Sequence, residues 1–309
     1  MSKMTMRLLV ASAFALALHA APAQAQLARS FVSNALGNDG NAPNCNRNTP
    51  CRTFQVAHDS TLANGEITVL DPGGYGAVTI NRTISIINDG VGEAGVLVSG
   101  GATGILVNAN ADDSVSLRGL TIKGIGFGGG NGIAFTTGKS LTVENCAIRN
   151  LDGTGAGNGI VFHPHASSSL AVTKTIVADN SAIGVDIAPR GSGTVGVVLN
   201  RVEIYNSGGD GFSMNGRSGT GTVNATVTGS VSAGNAGTGF FVLTNDGLAA
   251  VSLMLVRSVA ANSGGAGLSV EGSQSAPSSI DSKIERACSL LNAEMWSQCS
   301  CVIIKRSMR

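Results

Sequence analysis

A chain of 309 residues with a formal net charge of +1 is long enough to bury a sizeable core in one large domain or two small ones. Glycine accounts for 43 of these residues, whereas only 13% are charged and 4% are aromatic, which argues against an ordinary helical or α/β enzyme. A hydrophobic content of 43% and the lack of blocks of like charge argue against intrinsic disorder as well.

Residues 1–25 have the pattern of a secretory signal peptide. Lys3 and Arg7 precede an apolar run over 8–21, and Ala23-Gln24-Ala25 is a small-x-small cleavage site. We therefore expect a soluble product that is secreted or periplasmic, or held at the cell surface. Removal of the two basic residues changes the formal charge from +1 to −1, so no global field attracts nucleic acid. No later stretch reaches the ~18 apolar residues of a membrane span, so no membrane insertion is expected.

Residues 26–66 precede the repeats and are interpreted as an N-terminal cap segment. Within it, Cys45 and Cys51 are separated by five residues in a Pro/Asn-rich stretch. In an oxidising compartment they are a candidate disulfide, with two free thiols as the alternative.

An internal repeat dominates the centre of the chain. The motif glycine-apolar-x-apolar begins at Gly104, Gly132, Gly159, Gly184, Gly211, Gly239 and Gly267. The successive spacings are 28, 27, 25, 27, 28 and 28 residues. Each unit is too short to bury its own apolar face, so the units must stack and share one core.

Each motif alternates with a period of two, which predicts a β-strand with its first and third residues after glycine facing inward. Ile133, Ile160 and Val185 should then form one buried column, while the middle residues form a mixed row facing solvent. Further strands are predicted at 141–143, 170–172, 197–199 and 251–253. Three strands per unit with tight corners predict an all-β coil of stacked parallel strands, right-handed as parallel connections favour. Helical periodicity is missing, which excludes a leucine-rich or helical solenoid.

Asparagines precede several of these glycines. Asn180, Asn206, Asn235 and Asn262 lie 4 or 5 residues ahead of the next motif. Asparagine tolerates a left-handed backbone and hydrogen-bonds its own turn. We expect one stacked row of asparagines at a corner of the coil.

The pattern over residues 67–273 resembles the right-handed parallel β-helix proteins, the pectate-lyase-like superfamily, and especially their exported bacterial type. The more specific match lies before the repeats, in the segments Leu36-Gly-Asn-Asp-Gly, Pro50-Cys-Arg-Thr-Phe-Gln, Gly65-Glu-Ile-Thr-Val-Leu and Pro72-Gly-Gly-Tyr. The resemblance implies a single-stranded right-handed parallel β-helix whose open end is plugged by a short capping helix, in this chain at about 53–62. Such a plug covers apolar core and unpaired strand edges.

The catalytic motifs of that superfamily are not matched. No acidic cluster corresponds to the calcium ligands of pectate lyases, and neither Gly-His-Gly nor Asn-Thr-Asp of the polygalacturonases occurs. No family active site can therefore be transferred to this chain, and neither a cofactor nor a metal site is predicted.

A candidate site emerges when residues are compared by their offset from the motif glycine. His165, Arg190 and Arg217 lie six residues after glycine in three consecutive units. His163, Asp186 and Asp210 lie four after, two after and one before glycine. In a stacked coil these residues would form a partly cationic patch suited to the carboxylate or sulfate groups of an acidic polysaccharide.

Several functions are compatible with this patch. The leading hypothesis is an exported non-catalytic scaffold or saccharide-binding surface, with Asp186, Arg190, Asp210 and Arg217 as binding residues. The enzymatic alternative is a polysaccharide lyase or glycoside hydrolase that uses His163 or His165 as general base. A third hypothesis is an adhesin-like surface module, and a fourth interpretation is that the patch is only a solvated loop. The sequence predicts no oligomeric state.

Residues 274–309 depart from the repeat. They contain no glycine but the only tryptophan, and apolar residues recur at helical spacing. The segment is either a helical cap on the last coil or a tail foreign to the fold.

Overall fold

The computed structural model describes residues 26–125, 129–153, 157–244 and 248–272, together with the backbone of Ile284–Glu285 and Cys288–Leu290. Its strands are stacked in three parallel sheets that the chain visits in turn, coil after coil. Because each residue pairs with the one a coil earlier, the apolar faces of all coils share one core. This is the all-β parallel solenoid predicted from the repeat, with one short α-helix near the start of its described part.

The strands form three sheets, and within each sheet they follow one another in stacking order. Sheet A consists of Leu27–Val32, Thr61–Val69, Ile84–Ile87, Ser114–Arg118, Ser140–Glu144, Ser168–Thr173, Thr194–Asn200, Thr222–Thr228, Ala250–Val256 and Ile284–Glu285. Sheet B consists of Gly73–Gly74, Ala94–Val98, Leu120–Gly124, Ala147–Arg149, Ile176–Ala178, Glu203–Tyr205, Val231–Ala233, Val259–Ala261 and Cys288–Leu290. Sheet C consists of Val78–Ile80, Ile105–Asn108, Ile133–Thr137, Ile160–Phe162, Val185–Ile187, Phe212–Asn215, Phe240–Thr244 and Leu268–Gly272.

The glycine-led strands form sheet C in the predicted register. Ile133 pairs with Ile160, and Ile160 pairs with Val185; all three side chains are fully buried. The inward rows are buried except at the last described strand of this sheet, where Leu268 is half-buried and Val270 is 39% exposed.

The outward row of sheet C differs from the prediction of a solvent face. Ala134, Val161 and Ser213 are buried although they point away from the core. The other residues of this row are only half-buried. The face is therefore less exposed than alternation alone suggests.

The motif glycines lie at the corner between sheets B and C, where inward side chains of sheet B approach the backbone. A Cβ on Gly184 would lie 2.5 Å from Ile204 Cγ2 and 2.6 Å from the carbonyl oxygen of Gly211. A Cβ on Gly159 would likewise lie 2.3 Å from Val177 Cγ1. The repeat therefore requires glycine because no side chain fits between consecutive coils at this corner.

The predicted asparagine row is in fact two adjacent rows. Asn206 and Asn262 have φ of 51° and stack with other left-handed residues, including Asp179. Asn180 and Asn235 lie one position later and are buried. In both, Oδ1 accepts from the backbone N–H of the preceding coil, at Leu151 for Asn180 and at Ser207 for Asn235. The difference between offsets of 4 and 5 residues therefore reflects two roles, a left-handed bend and a buried link between coils.

A cap segment covers the first coil. The helix Phe54–Ser60 begins at the N-cap Thr53, whose side chain accepts from the Val56 N–H, and buries Phe54 against Tyr75 with ring centroids 5.0 Å apart. It is shorter than the predicted 53–62 because Thr61 is already extended and starts the next strand. The segment also contributes the strand Leu27–Val32 to sheet A.

A disulfide closes the loop ahead of this helix. Cys45 and Cys51 are bonded, with Cα atoms 5.0 Å apart. Both residues are fully buried, so the bond is part of the cap's packing.

Two sequence predictions fall largely outside the described residues. The signal peptide at 1–25 lies there, as does most of the tail at 274–309, whose two described stretches are extended strands that include Ile284 and Cys288. Among the described residues, none lies in a helix with the length and apolar character needed to cross a membrane.

Candidate functional site

The candidate site lies in the turns that connect sheet C to sheet A in successive coils. An open depression of about 260 Å³ is bounded there by two coils and by Leu248 of a third. The lining residues are Arg190, Gly191, Ser192, Arg217, Ser218, Gly219, Thr220 and Leu248. We call this depression the arginine groove. Its lining residues include two arginines and three residues with hydroxyl side chains, residue types that can donate hydrogen bonds to oxyanions.

A chain of three charged or titratable side chains leads to the groove. His163 follows the strand Ile160–Phe162, and its Nε2 lies 2.8 Å from Asp186 Oδ2 in the next coil. Arg190 Nη2 lies 3.3 Å from His163 Nδ1. The side chains of His163 and Asp186 are only 18% and 16% exposed, so this pair is sheltered whereas Arg190 is exposed.

The partners of His163 define its hydrogen-bonding state. A guanidinium nitrogen carries hydrogens and has no acceptor capacity, so Nδ1 of His163 must accept from Arg190. Nε2 then carries the ring hydrogen and donates it to the Asp186 carboxylate. In this arrangement the imidazole is oriented by a carboxylate on one side and contacts an arginine on the other.

Stacking brings three of the predicted residues to the same set of turns. The Arg190 N–H donates to the Pro164 carbonyl at 2.9 Å, which aligns Arg190 with His165 in the coil before. Arg217 lies in the 3-10 turn Gly216–Ser218 of the following coil. The Thr220 N–H donates to the Gly191 carbonyl at 3.1 Å, so this turn holds one more residue than its neighbour. Equal offset from glycine therefore places these three residues in adjacent turns, and the turn that contains Arg217 holds one extra residue between Met214 and Thr220.

Asp210 does not join the groove, contrary to its place in the predicted binding set. It precedes the strand Phe212–Asn215, whereas Arg217 follows that strand, and four residues of β-strand span about 13 Å. Its Oδ1 accepts from the Thr238 N–H at 2.6 Å. Asp210 therefore links two coils at the opposite end of the sheet.

The other buried reactive group is not poised for chemistry. Cys146 is a free thiol within the core, and burial raises its pKa to about 11. It lies between the strands Ser140–Glu144 and Ala147–Arg149 and packs as a small apolar residue. Within the described part of the chain, no three His, Cys, Asp or Glu side chains converge to hold a metal ion.

The contacts that join the predicted site residues were missed at the level of the sequence, although His163, Asp186, Arg190 and Arg217 were themselves predicted. The contact between His163 and Asp186 is diagonal, from four residues after glycine in one coil to two after in the next. Diagonal neighbours of a ladder are within reach of long side chains, so this signal was present. The hydroxyls that line the groove carried no signal, because serine and threonine are common in turns; they belong to Ser192, Ser218 and Thr220.

Comparison with known proteins identifies the family. The model of the family described as "Right handed beta helix region" matches residues 103–286. Two solved structures are similar, a pectate lyase crystal structure (TM-score 0.47, 15% identity, 80% of this chain and 77% of that one) and a rhamnogalacturonan lyase (TM-score 0.42, 12% identity, 84% and 66%). Comparison with curated proteins gives no significant match. Since the family model covers more than half of the chain and agrees with the stacked sheets, this protein belongs to the right-handed β-helix family.

Proposed function

We propose that the arginine groove binds a segment of an acidic polysaccharide through its carboxylate or sulfate groups. The observation that carries this proposal is the pair of arginines, Arg190 and Arg217, from consecutive coils at one depression. Guanidinium groups form paired charge-assisted hydrogen bonds to such oxyanions. The neighbouring hydroxyl groups of Ser192, Ser218 and Thr220 supply neutral partners for sugar hydroxyls.

Binding measurements test this proposal. Isothermal titration with oligogalacturonate, alginate and heparin oligosaccharides should detect at least one ligand, and an uncharged cello-oligosaccharide should not bind. Arg190→Gln and Arg217→Gln should each weaken that binding about tenfold, the effect of one charge-assisted hydrogen bond. Arg149→Gln, an exposed arginine on sheet B, is the matched control and should leave affinity unchanged. Equal losses in all three variants, or no binding of any acidic glycan, would overturn the proposal.

A second candidate function is cleavage of the bound glycan. The hydrogen bond between Asp186 and His163 is the arrangement that orients a histidine as general base. Nδ1 would remove the proton from the carbon next to a uronate carboxylate, the glycosidic C–O bond would break with formation of a C=C bond, and water would protonate the departing oxygen. Nδ1 becomes available for this step only when Arg190 turns from it to the substrate.

The two candidates differ in their products. Incubation with the same acidic glycans should yield ultraviolet-absorbing unsaturated ends and new reducing ends if the protein is a lyase, and neither if it only binds. Loss of product formation in Asp186→Asn with retained glycan binding would assign the base.

Export is proposed on two independent features. The N-terminal 25 residues have the composition of a signal peptide, and the cap contains a disulfide, which is typical of oxidising compartments. Fractionation of cells that produce the full chain, with sequencing of the mature N-terminus, tests this proposal; recovery of an uncleaved cytoplasmic chain would contradict it.

A further inference from the structure

We infer that His163, held by Asp186, is a positioning residue that fixes Arg190 at the arginine groove only while its imidazole is neutral. This inference rests on the proposed binding function for its consequence, but its structural part can be tested without any glycan. The half-buried pair His163 and Asp186 would then control the position of the exposed Arg190 side chain.

The geometry gives each member a distinct task. Asp186 and His163 are mostly buried and 2.8 Å apart, so the imidazole plane is fixed relative to the sheet. Nδ1 then presents a single acceptor toward Arg190, whose Nη2 lies 3.3 Å away. An exposed arginine otherwise samples many rotamers, and ordering it costs conformational entropy on binding. Because His163 already orders Arg190, less conformational entropy is lost when a ligand binds.

Protonation of the imidazole reverses this contact. Protonated Nδ1 is a donor and would face the Nη2 hydrogens of Arg190, so the two cations repel each other and the guanidinium leaves its position. The carboxylate of Asp186 neutralises the added charge, so the groove gains little attraction for anions. The net result is weaker binding in acid.

Other charged groups near His163 do not replace this arrangement. In the preceding coil, His163 aligns with the uncharged Thr136, since its N–H donates to the Phe135 carbonyl; the nearest cation of that turn is the exposed Lys139. His165, two residues later, is exposed, and Arg217 lines the groove one coil beyond Arg190. The ring of His163 hydrogen-bonds Asp186 through Nε2 and Arg190 through Nδ1.

Two isosteric variants separate the tasks of the ring nitrogens. His163→Asn places an amide oxygen near the position of Nδ1 and retains an acceptor for Arg190 that does not titrate. His163→Gln extends its amide toward the position of Nε2 and retains a partner for Asp186 but none for Arg190. If His163 only stabilised the fold, the two variants would order Arg190 equally well, or His163→Gln would order it better.

The first measurement needs no ligand. Nitrogen NMR of the full protein should show the Nε2–H tautomer of His163 at pH 8 and a slowly exchanging Arg190 guanidinium signal. That Arg190 signal should disappear between pH 8 and pH 5 in the wild type. It should persist at pH 5 in His163→Asn and should be missing at both pH values in His163→Gln. The inference would be overturned by an Nδ1–H tautomer of His163. It would also be overturned if the Arg190 signal stayed the same on acidification and in both variants.

The second measurement reads the consequence in binding, with oligogalacturonate, alginate and heparin oligosaccharides as probes. Between pH 8 and pH 5 wild-type affinity should fall roughly tenfold, His163→Asn should remain near the wild-type value at both pH values, and His163→Gln should be weak at both. If no probe binds any variant while the NMR results hold, the proposed function fails and the positioning role stands. If the probes bind and His163→Gln equals wild type, the positioning role fails and the proposed function stands.

Discussion

At the corner between sheets B and C, the coils stack because one residue per repeat has no side chain. The inward side chains of sheet B occupy the volume that a Cβ would need, as Ile204 does at Gly184. The carbonyl oxygen of Gly211, in the next coil, occupies part of the same volume. The glycines found by their regular spacing are therefore required for packing and not for turn flexibility.

Substitution of one corner glycine should cost stability. In Gly184→Ala the new methyl group overlaps Ile204 Cγ2 and the Gly211 carbonyl, and overpacking of this kind typically costs about 1–3 kcal/mol. Chemical unfolding followed by circular dichroism should show a lower free energy of unfolding. Gly196→Ala is the matched control, because nothing lies within 4 Å of its Cβ position. Equal effects of the two substitutions would contradict the packing explanation.

The residues that could be predicted from the sequence are those whose role repeats in every coil. The column through Ile133, Ile160 and Val185 followed from period and spacing alone. Single contacts did not follow, because they depend on local shifts such as the extra residue before Thr220. Asp210 was grouped with Arg217 by its offset of one residue before glycine, but the strand Phe212–Asn215 separates the two.

At the scale of single elements, the cap must satisfy strand edges as well as cover apolar core. The Gln55 side chain of the helix Phe54–Ser60 accepts from the Thr79 N–H at 2.8 Å, so it binds the outer edge of Val78–Ile80, the first strand of sheet C among the described residues. Asp71 anchors the other side of the cap: its carboxylate accepts from the Ser33 hydroxyl and from the N–H groups of Asn34 and Ala35. Burial raises the pKa of Asp71, but these hydrogen bonds outweigh that effect and lower it overall. The cap is thus fixed by polar contacts at its rim.

The same helix should make stability depend on pH through His58. Its side chain is fully buried, and burial lowers its pKa despite the opposing hydrogen bond to Asp59. Below about pH 6.5 the unfolded chain takes up a proton that the folded chain does not. The free energy of unfolding should therefore decrease as the pH falls from about 6.5 toward the folded-state pKa, with no contribution from this residue above that window.

Urea unfolding at pH 7.5 and 5.5 measures this effect as the difference between two midpoints. That difference should be smaller in His58→Gln than in the wild type, whatever the absolute stability of the variant. His165→Gln, which alters an exposed histidine, should leave it unchanged. If His58→Gln retains the full pH difference, the acid sensitivity arises elsewhere.

At the scale of the whole molecule, the core is a row of nearly equivalent layers and each layer contacts mainly its two neighbours. Sheet C shows this most directly, since the residues facing inward in one strand pair with those of the next from Val78 to Val270. Stability in such an array is approximately a sum of layer and interface contributions. The arginine groove depends on the stacking of these layers, because Arg190 and Arg217 come from consecutive coils.

Removal of one complete coil should therefore preserve the fold. Deletion of residues 211–238 removes 28 residues and joins Asp210 to Gly239, which occupies the same corner as Gly211. The remaining strands can pair in register, so we expect a folded β-protein with a smaller denaturant dependence and a lower free energy of unfolding. Deletion of residues 211–224 instead connects a corner of sheet C to the middle of sheet A, and that chain should fail to fold.

The full-coil deletion also removes Arg217 while leaving Asp186, His163 and Arg190 in place, so glycan affinity should fall although circular dichroism still reports β-structure. Similar behaviour of the two deletions would show that the coils are not interchangeable layers.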